Sequence, residues 1–254
     1  MNALADTWYI VLRDLRARIR MPVFIFMTLF QPVLWLVLFT QIFKALGNMP
    51  GIGSSYLQFF APGVVIMTVL FGSAFAGMGM LMDIDSGILA KMMATPVTRV
   101  SVTMGRVTAS VVVSIIQALI VLIIAAIMGV HFATGVPGVL FVLVLVALIG
   151  VGFAAISNGL ALLLRRQELV VTVSNLFTMP LIFLSSMMMP SSLLPGWLNT
   201  ARHFNPVDYA IVGVRDLIQQ GYVWADLWRS FAVLLALAVV GVVFGTMMFR
   251  TRAE

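Results

Sequence analysis

Two histidines, nine carboxylates and no cysteine give this chain a short inventory for acid–base, nucleophilic or metal chemistry. His131 and His203 stand alone, without the acidic or histidine neighbours that a metal ligand set needs. The lack of cysteine excludes a disulfide framework and a thiolate-bound metal. No G-x-x-x-x-G-K-[ST] segment occurs, so the chain does not cradle ATP phosphates in that loop. No Ser/His/Asp grouping stands in the sequence for hydrolysis. No catalytic residue and no metal ligand is therefore assigned. What remains is neutral: Gln31, Gln41, Gln117, Ser157, Asn158, Thr172, Ser174 and Asn175 lie within apolar runs. There, an amide either bonds a neighbouring helix or lines a solute path. Gln31, Asn158 and Asn175 are the candidate pathway residues, with structural bonding the plainer alternative.

Three segments have a composition that plain membrane spans do not. In residues 3–20, Trp8, Leu12, Leu15 and Ile19 recur at helical spacing, with Arg13, Arg16 and Arg20 off that stripe. This predicts an amphipathic helix in a membrane interface, its arginines against anionic lipid. Residues 83–97 read as a short helix that starts on Asp83 and Asp85, carries Lys91 later and stops at Pro96. Ile84, Ile88 and Met92 form one face, widened by Leu89 and Met93. Such a face requires a partner protein or a lipid interface to pack against. Residues 190–228 hold Pro190, Pro195 and Pro206 between Leu193, Leu194, Trp197, Leu198, Phe204 and Tyr209, too apolar for a solvated loop. The piece 207–219 can be helical, but Asp208, Arg215 and Asp216 make a full crossing expensive. A half-inserted hairpin fits it, and an interfacial loop with an aromatic belt is the alternative.

These segments sit in a frame that composition identifies. Of 254 residues, 62% are hydrophobic and only 9% charged, against about 25% charged in a soluble domain. That excludes a soluble globule and, equally, a disordered chain. Five stretches lack Asp, Glu, Lys and Arg altogether: 23–43, 45–82, 107–164, 169–201 and 230–249. A crossing helix needs about 20 apolar residues. The long third stretch breaks near Thr134-Gly-Val-Pro-Gly138. The expectation is an all-α polytopic membrane protein with six spans, near 23–43, 57–82, 105–128, 138–164, 169–189 and 229–249. The first run is longer than the 7–15 residues of a signal-peptide core and reads as a retained span.

Eleven Lys and Arg then fall on the side of the termini and three on the other, so both termini read as cytoplasmic. The net charge of +6 thus has a topological cause, and no nucleic-acid partner is needed. The charge-free stretches put no ionisable group at membrane depth, which argues against an ion-coupled carrier with a carboxylate relay. Met clusters (Met78/Met80/Met82, Met187–Met189) suit helix-bundle filling or a surface for varied apolar partners.

Two motifs resemble those of ABC-2 type permeases, the membrane subunits of bacterial ATP-binding-cassette exporters. The first is Pro190…Leu194-Pro195-x-Trp197-Leu198…Asn205-Pro206-x-x-Tyr209…Arg215. The second is Asp83-x-Asp85-x-Gly87-x-Leu89…Met92…Pro96, where the family usually has Glu-Arg-Glu; here Asp replaces both Glu, Ile84 the Arg and Ala90 a later Glu. The whole chain, 1–254, is similar to one such transmembrane domain, and its Met/Leu-rich character is most similar to the drug-resistance branch.

The resemblance implies that Asp83, Ile84, Asp85, Gly87, Ile88, Leu89, Met92 and Pro96 form a coupling helix seated on an ABC ATP-binding subunit, present in two copies. It implies no directly bound cofactor, with ATP and Mg held by that partner. It implies a second permease, as homodimer or heterodimer, in the bacterial inner membrane. Pro190, Pro195, Trp197, Asn205, Pro206, Tyr209 and Arg215 would build a re-entrant element, residues 190–220, near an outer gate. The implied function is export of a hydrophobic or amphipathic drug, antibiotic or lipid. Export of polysaccharide or lipid-linked glycan is an alternative, and a non-transporting membrane assembly subunit a second.

Overall fold

The computed structural model describes residues 3–20, 22–45, 55–95 and 97–252. Pro96, the expected stop of the 83–97 segment, lies outside the described residues. Eleven α-helices occur among the described residues, and no strand. They are α1 (Ala3–Ile19), α2 (Pro22–Ile42), α3 (Tyr56–Ala74), α4 (Gly77–Asp85), α5 (Ile88–Met93), α6 (Arg99–Ile127), α7 (Gly135–Leu164), α8 (Gln167–Phe183), α9 (Gly196–Arg202), α10 (Pro206–Gln219) and α11 (Trp224–Arg252).

Four helical stretches are long and apolar enough to cross a membrane: Tyr56–Asp85, Arg99–Ile127, Gly135–Leu164 and Trp224–Thr251. At 1.5 Å per residue, the 29 residues of α6 reach about 44 Å, more than the ~30 Å hydrocarbon core. Shorter apolar helical stretches occur at Thr28–Ile42 and Gln167–Phe183. The chain is a multi-pass membrane protein.

The helix α3 is the centre of the bundle, almost wholly buried among α2, α6, α7 and α10. Phe59, Phe60, Val64, Val65, Ile66 and Leu70 have no meaningful exposure and fill the main apolar core. The most extensive helix contact is α7 on α11. Its cause is a seam of small residues. A Cβ on Gly241 would lie 2.5 Å from the Gly152 carbonyl oxygen, and one on Gly245 would lie 2.8 Å from that of Ala155. Without side chains at these points the two backbones touch, which is how helices gain contact where the surroundings are themselves apolar.

Several boundaries differ from the sequence expectation. The span expected at 57–82 is two helices, broken at Phe75–Ala76, where successive bonds skip back three residues: Ala76 N to Ser73 O, Met78 N to Phe75 O, Gly79 N to Ala76 O. The span expected to 189 stops at Phe183: Ser185 N bonds back only three residues to Ile182 O, the Leu181 and Leu184 carbonyls accept from Asn205, and the chain runs irregularly to Pro190. The helix α7 begins at Gly135 and not 138, since Pro137 is tolerated in a first turn. The helix α6 ends with Gly129 at φ +105°, and Val130 N reaches back to Ala125 O at 3.0 Å.

The 83–97 segment is also not one helix. Asp83 and Asp85 close α4, Gly87 breaks the chain at φ +70°, and only Ile88–Met93 forms α5. The two carboxylates therefore sit at a helix C-terminus, where the dipole disfavours them, and not at the N-terminus that the sequence suggested.

Replacing Gly241 with Leu should force α7 and α11 apart and lower stability by about 1–3 kcal/mol. Val240→Leu, on the exposed neighbouring face, should leave melting in detergent unchanged, and equal effects of the two would refute a backbone-to-backbone seam.

Candidate functional site

The stretch Tyr56–Asp85 carries a polar cluster at each end. At the Asp83 end, the carboxylate oxygen Oδ2 accepts from Arg13 Nη2 of α1 at 2.5 Å and from Arg106 Nη2 of α6. Arg106 is only 4% exposed. It sits two turns into a helix of crossing length, so an ionisable side chain does lie inside an expected span, contrary to the reading from the charge-free stretches. Its charge is tolerated because Asp83 opposes it. Arg13 also bonds Asp14 at 2.8 Å and places Nη1 2.9 Å from Met92 Sδ on α5. Arg18 donates to Ser110 on α6; burial pulls its guanidinium below its ordinary pKa, and Asp14 opposes that.

The face of α1 that packs is not the predicted stripe. Ile10 and Val11 are buried, and a Cβ on Gly105 would strike Ile10, so α1 lies close on α6. Trp8 (60% exposed) and Ile19 point away, with Arg16 and Arg20 exposed. The two ends of the apolar stripe thus face outward, with Leu12 and Leu15 half-buried between them, whereas Arg13 and Arg18 turn into protein.

The small helix α5 does not offer its whole apolar face. Leu89 is buried with Ile10, Met80, Leu81, Val102, Leu162 and Phe249, and Ile84, Met92 and Met93 pack on the same cluster. Ile88 stays 38% exposed. Asp85 is exposed, and Gly87 makes the turn that separates it from Ile88. The face expected to need a partner is largely covered by the chain's own helices, leaving Ile88 as its projecting residue.

At the other end, residues 184–190 are irregular yet mostly buried, so their backbone groups have no helix ladder and little water. The 205–215 side chains meet that need. Asn205 Nδ2 donates to Leu181 O (2.6 Å) and Leu184 O (3.1 Å), and its Oδ1 accepts from Val207 N (2.9 Å) to cap α10. Pro206 opens that helix, where a missing N–H costs nothing. Asp208 Oδ1 accepts from Ser186 N at 2.7 Å, and its Oδ2 pairs with Arg202 at 3.1 Å. Arg215 donates to Ser186 O at 2.7 Å, to Ser186 Oγ at 3.2 Å and to Phe59 O at 3.4 Å. Its guanidinium lies 4.0 Å over the Phe59 ring.

Other members of the 190–215 motif stand outside this network. Pro190 is buried and precedes a turn at Ser191–Leu193; Pro195 is exposed and precedes α9; Trp197 is exposed. Tyr209 donates only to His203 O, at 3.1 Å.

The three pathway candidates are not brought together. Gln31 is exposed on α2, and Asn175 is half-buried on α8. Asn158 is buried on α7 and donates to Ala154 O of its own helix at 2.7 Å. Gln117 instead joins helices, donating to Thr28 of α2 at 3.0 Å. None of the three lines the apolar cleft of about 370 Å³ among α7, α8, α10 and α11, walled by Phe153, Leu160, Phe177, Leu181 and Leu237. Beside that cleft Ser157 donates to Ala74 O (2.5 Å) and accepts from Gly77 N (2.9 Å), and Ser174 adds a bond to Ala74 O. Those hydroxyls hold the α3–α4 break.

The sequence reading left out Arg106 and Ser186, and it named Ser157 and Asp208 without the backbone groups that they bond. Arg106 borders the longest charge-free stretch, and that position was its one available signal.

The ABC-2 type transporter family model matches residues 5–218. The ycf38 protein of Cyanophora paradoxa, which carries the name of a transport permease, is 29% identical over 236 residues, 87% of this chain and 81% of that one. The daunorubicin resistance ABC transporter permease protein DrrB1 of Streptomyces coeruleorubidus is 23% identical over 98% of this chain and 86% of its own. The DrrC permease of Mycobacterium tuberculosis, named for doxorubicin resistance, is 27% identical over 77% of this chain and 70% of its own.

Asn205→Ala removes the cap and leaves two buried carbonyls without a donor, so it should cost about 1–3 kcal/mol. Tyr209→Phe removes one bond at an exposed edge and should stay within about 0.5 kcal/mol. Thermal melting in detergent measures both; equal losses would contradict the assigned roles.

Proposed function

The chain belongs to the ABC-2 type transporter family, whose permeases work with an ABC ATP-binding subunit, and from that premise we propose that it is the permease subunit of an ATP-driven exporter. Family members are membrane subunits, so ATP hydrolysis falls to the partner, with ATP and Mg bound there. The cargo is a hydrophobic or amphipathic molecule leaving the cytoplasm or inner leaflet. Supporting this are relatives named for daunorubicin and doxorubicin resistance and the apolar cleft beside α8, lined by Phe153, Phe177 and Leu181.

In this reading α2 and α8 complete six crossings, and both termini lie in the cytoplasm. The excess of Lys and Arg in segments 1–22, 83–106, 165–168 and 250–254 supports that orientation. Exposed Trp197, Phe204, Tyr222, Trp224 and Trp228 suit the opposite interface, where amphipathic rings settle. Residues 190–220 form the re-entrant element, with Asn205, Asp208 and Arg215 satisfying backbone that a lipid environment would leave unpaired. Two permeases and two ATP-binding subunits make the working unit, in a bacterial inner membrane.

The observation that carries the proposal is the α4–α5 turn. A six-residue helix, anchored by Leu89 and presenting Ile88, stands at the end of a stretch of crossing length. An apolar side chain held outward by a buried neighbour, beside exposed Lys91, supports reading α5 as a docking element. Ile88→Asp should abolish co-purification of the ATP-binding subunit while membrane insertion stays normal. Undiminished co-purification would refute the coupling role of α5.

A further inference from the structure

We propose that Asp83 is a positioning residue for energy coupling, the fastener that ties the docking helix α5 to α1 and α6; this rests on the exporter reading above. Three separate elements meet at its carboxylate. Arg13 arrives from α1, seventy residues away, and Arg106 from α6, twenty-three residues away. Arg13 reaches on to Met92 of α5. The junction is therefore closed from both sides of the Gly87 turn: Asp83 lies before it and Met92 after it.

The surroundings fit force transmission better than they fit stability alone. Burying Arg106 is costly even when paired, and a buried pair replaced by apolar side chains of similar shape is often neutral or better. Here the cost is visible, because Arg106 Nε is buried with no hydrogen-bond partner. The carboxylate also sits at the unfavourable end of the α4 dipole. An arrangement with those penalties gains a fixed meeting point: the single oxygen Oδ2 of Asp83 accepts charge-assisted bonds from guanidiniums of two other helices and so joins α4, α1 and α6.

The other end of α4 is held as well. Gly77 N bonds Ser157 of α7, and backbone contact there excludes any side chain at position 77. This nine-residue helix is thus clamped at both ends and can pass a displacement of α5 to α1, α6 and α7 without bending. Arg16 of α1 and Arg20, which follows that helix, are exposed and lie outside the junction.

The test uses the permease in complex with its ATP-binding subunit, purified from its native membrane and reconstituted. The chain has no cysteine, so a single Trp197→Cys in the exposed outer region reports opening through its rate of maleimide labelling. The readout is the change in that rate between nucleotide-free and ATP–vanadate states. The double variant Asp83→Asn/Arg106→Met avoids an orphaned buried charge and should assemble and hydrolyse ATP. Its labelling response should fall roughly 2- to 30-fold, the range by which residues in a coupling network change communication between sites.

Arg13→Gln leaves the Asp83–Arg106 pair intact and should lower the response in the same direction, whereas Asp83→Glu should retain it. A full response in both the double variant and Arg13→Gln would overturn the proposal and leave Asp83 a purely structural residue. Should the double variant fail to assemble, Arg13→Gln decides alone: a lowered response supports the fastener, and a full one overturns it. Absence of any ATP-binding subunit from the unmodified complex would instead overturn the exporter reading, and this inference with it.

Discussion

A backbone amide surrounded by hydrocarbon has no water to turn to, and each departure from regular helix in this chain has to be met by a specific side chain. Two buried breaks follow that demand. At Phe75–Ala76, Ser157 and Ser174 take up Ala74 O and Gly77 N. At 181–186, Asn205, Asp208 and Arg215 serve five backbone and hydroxyl groups. The more exposed turn between α6 and α7 is held as well: Ala133 N donates to Ile218 O and Thr134 Oγ1 to Leu217 O, while Gln58 pairs reciprocally with the His131 backbone. Irregular segments and the polar residues that support them are thus one system.

Charge is used under the same constraint but for two ends. Around Ser186 the ionic groups serve neighbouring backbone, and Arg215 spreads its donors over two carbonyls, a hydroxyl and a ring face. Around Asp83 the ionic groups serve one another. The first arrangement fixes a loop, and the second fixes helices. Arg106 keeps one unpartnered nitrogen, whereas each nitrogen of Arg215 has an acceptor.

The sequence made the class readable because apolar runs of crossing length leave few alternatives. It also made a helix over 207–219 readable; the structure starts it at Pro206, with Asn205 as the cap. It gave the wrong polarity for Asp83 and Asp85. A run beginning with carboxylates and ending with lysine looks like one helix, and only Gly87 at positive φ assigns them to the preceding one. On α1 the stripe of Trp8, Leu12, Leu15 and Ile19 is read for a membrane interface, and Trp8 and Ile19 do face outward. Periodicity did not tell that Arg13 turns to Asp83, or that Ile10 packs on α6, because in a membrane both lipid and protein accept apolar residues. Arg106 was hidden because its partner lies in another helix, and tertiary pairing leaves no trace in local pattern.

The seam between α7 and α11 brings backbone against backbone at Gly152–Gly241 and Ala155–Gly245, with the Leu237 side chain laid on Gly152 and the Phe244 ring on Gly159. By contrast, the cleft beside the pair is walled by side chains, Phe153 and Leu160 of α7, Phe177 and Leu181 of α8 and Leu237 of α11. One flank of α7 is therefore shaped by backbone and the other by side chains, so a change of residue alters the volume of the cleft far more readily than the spacing of the pair.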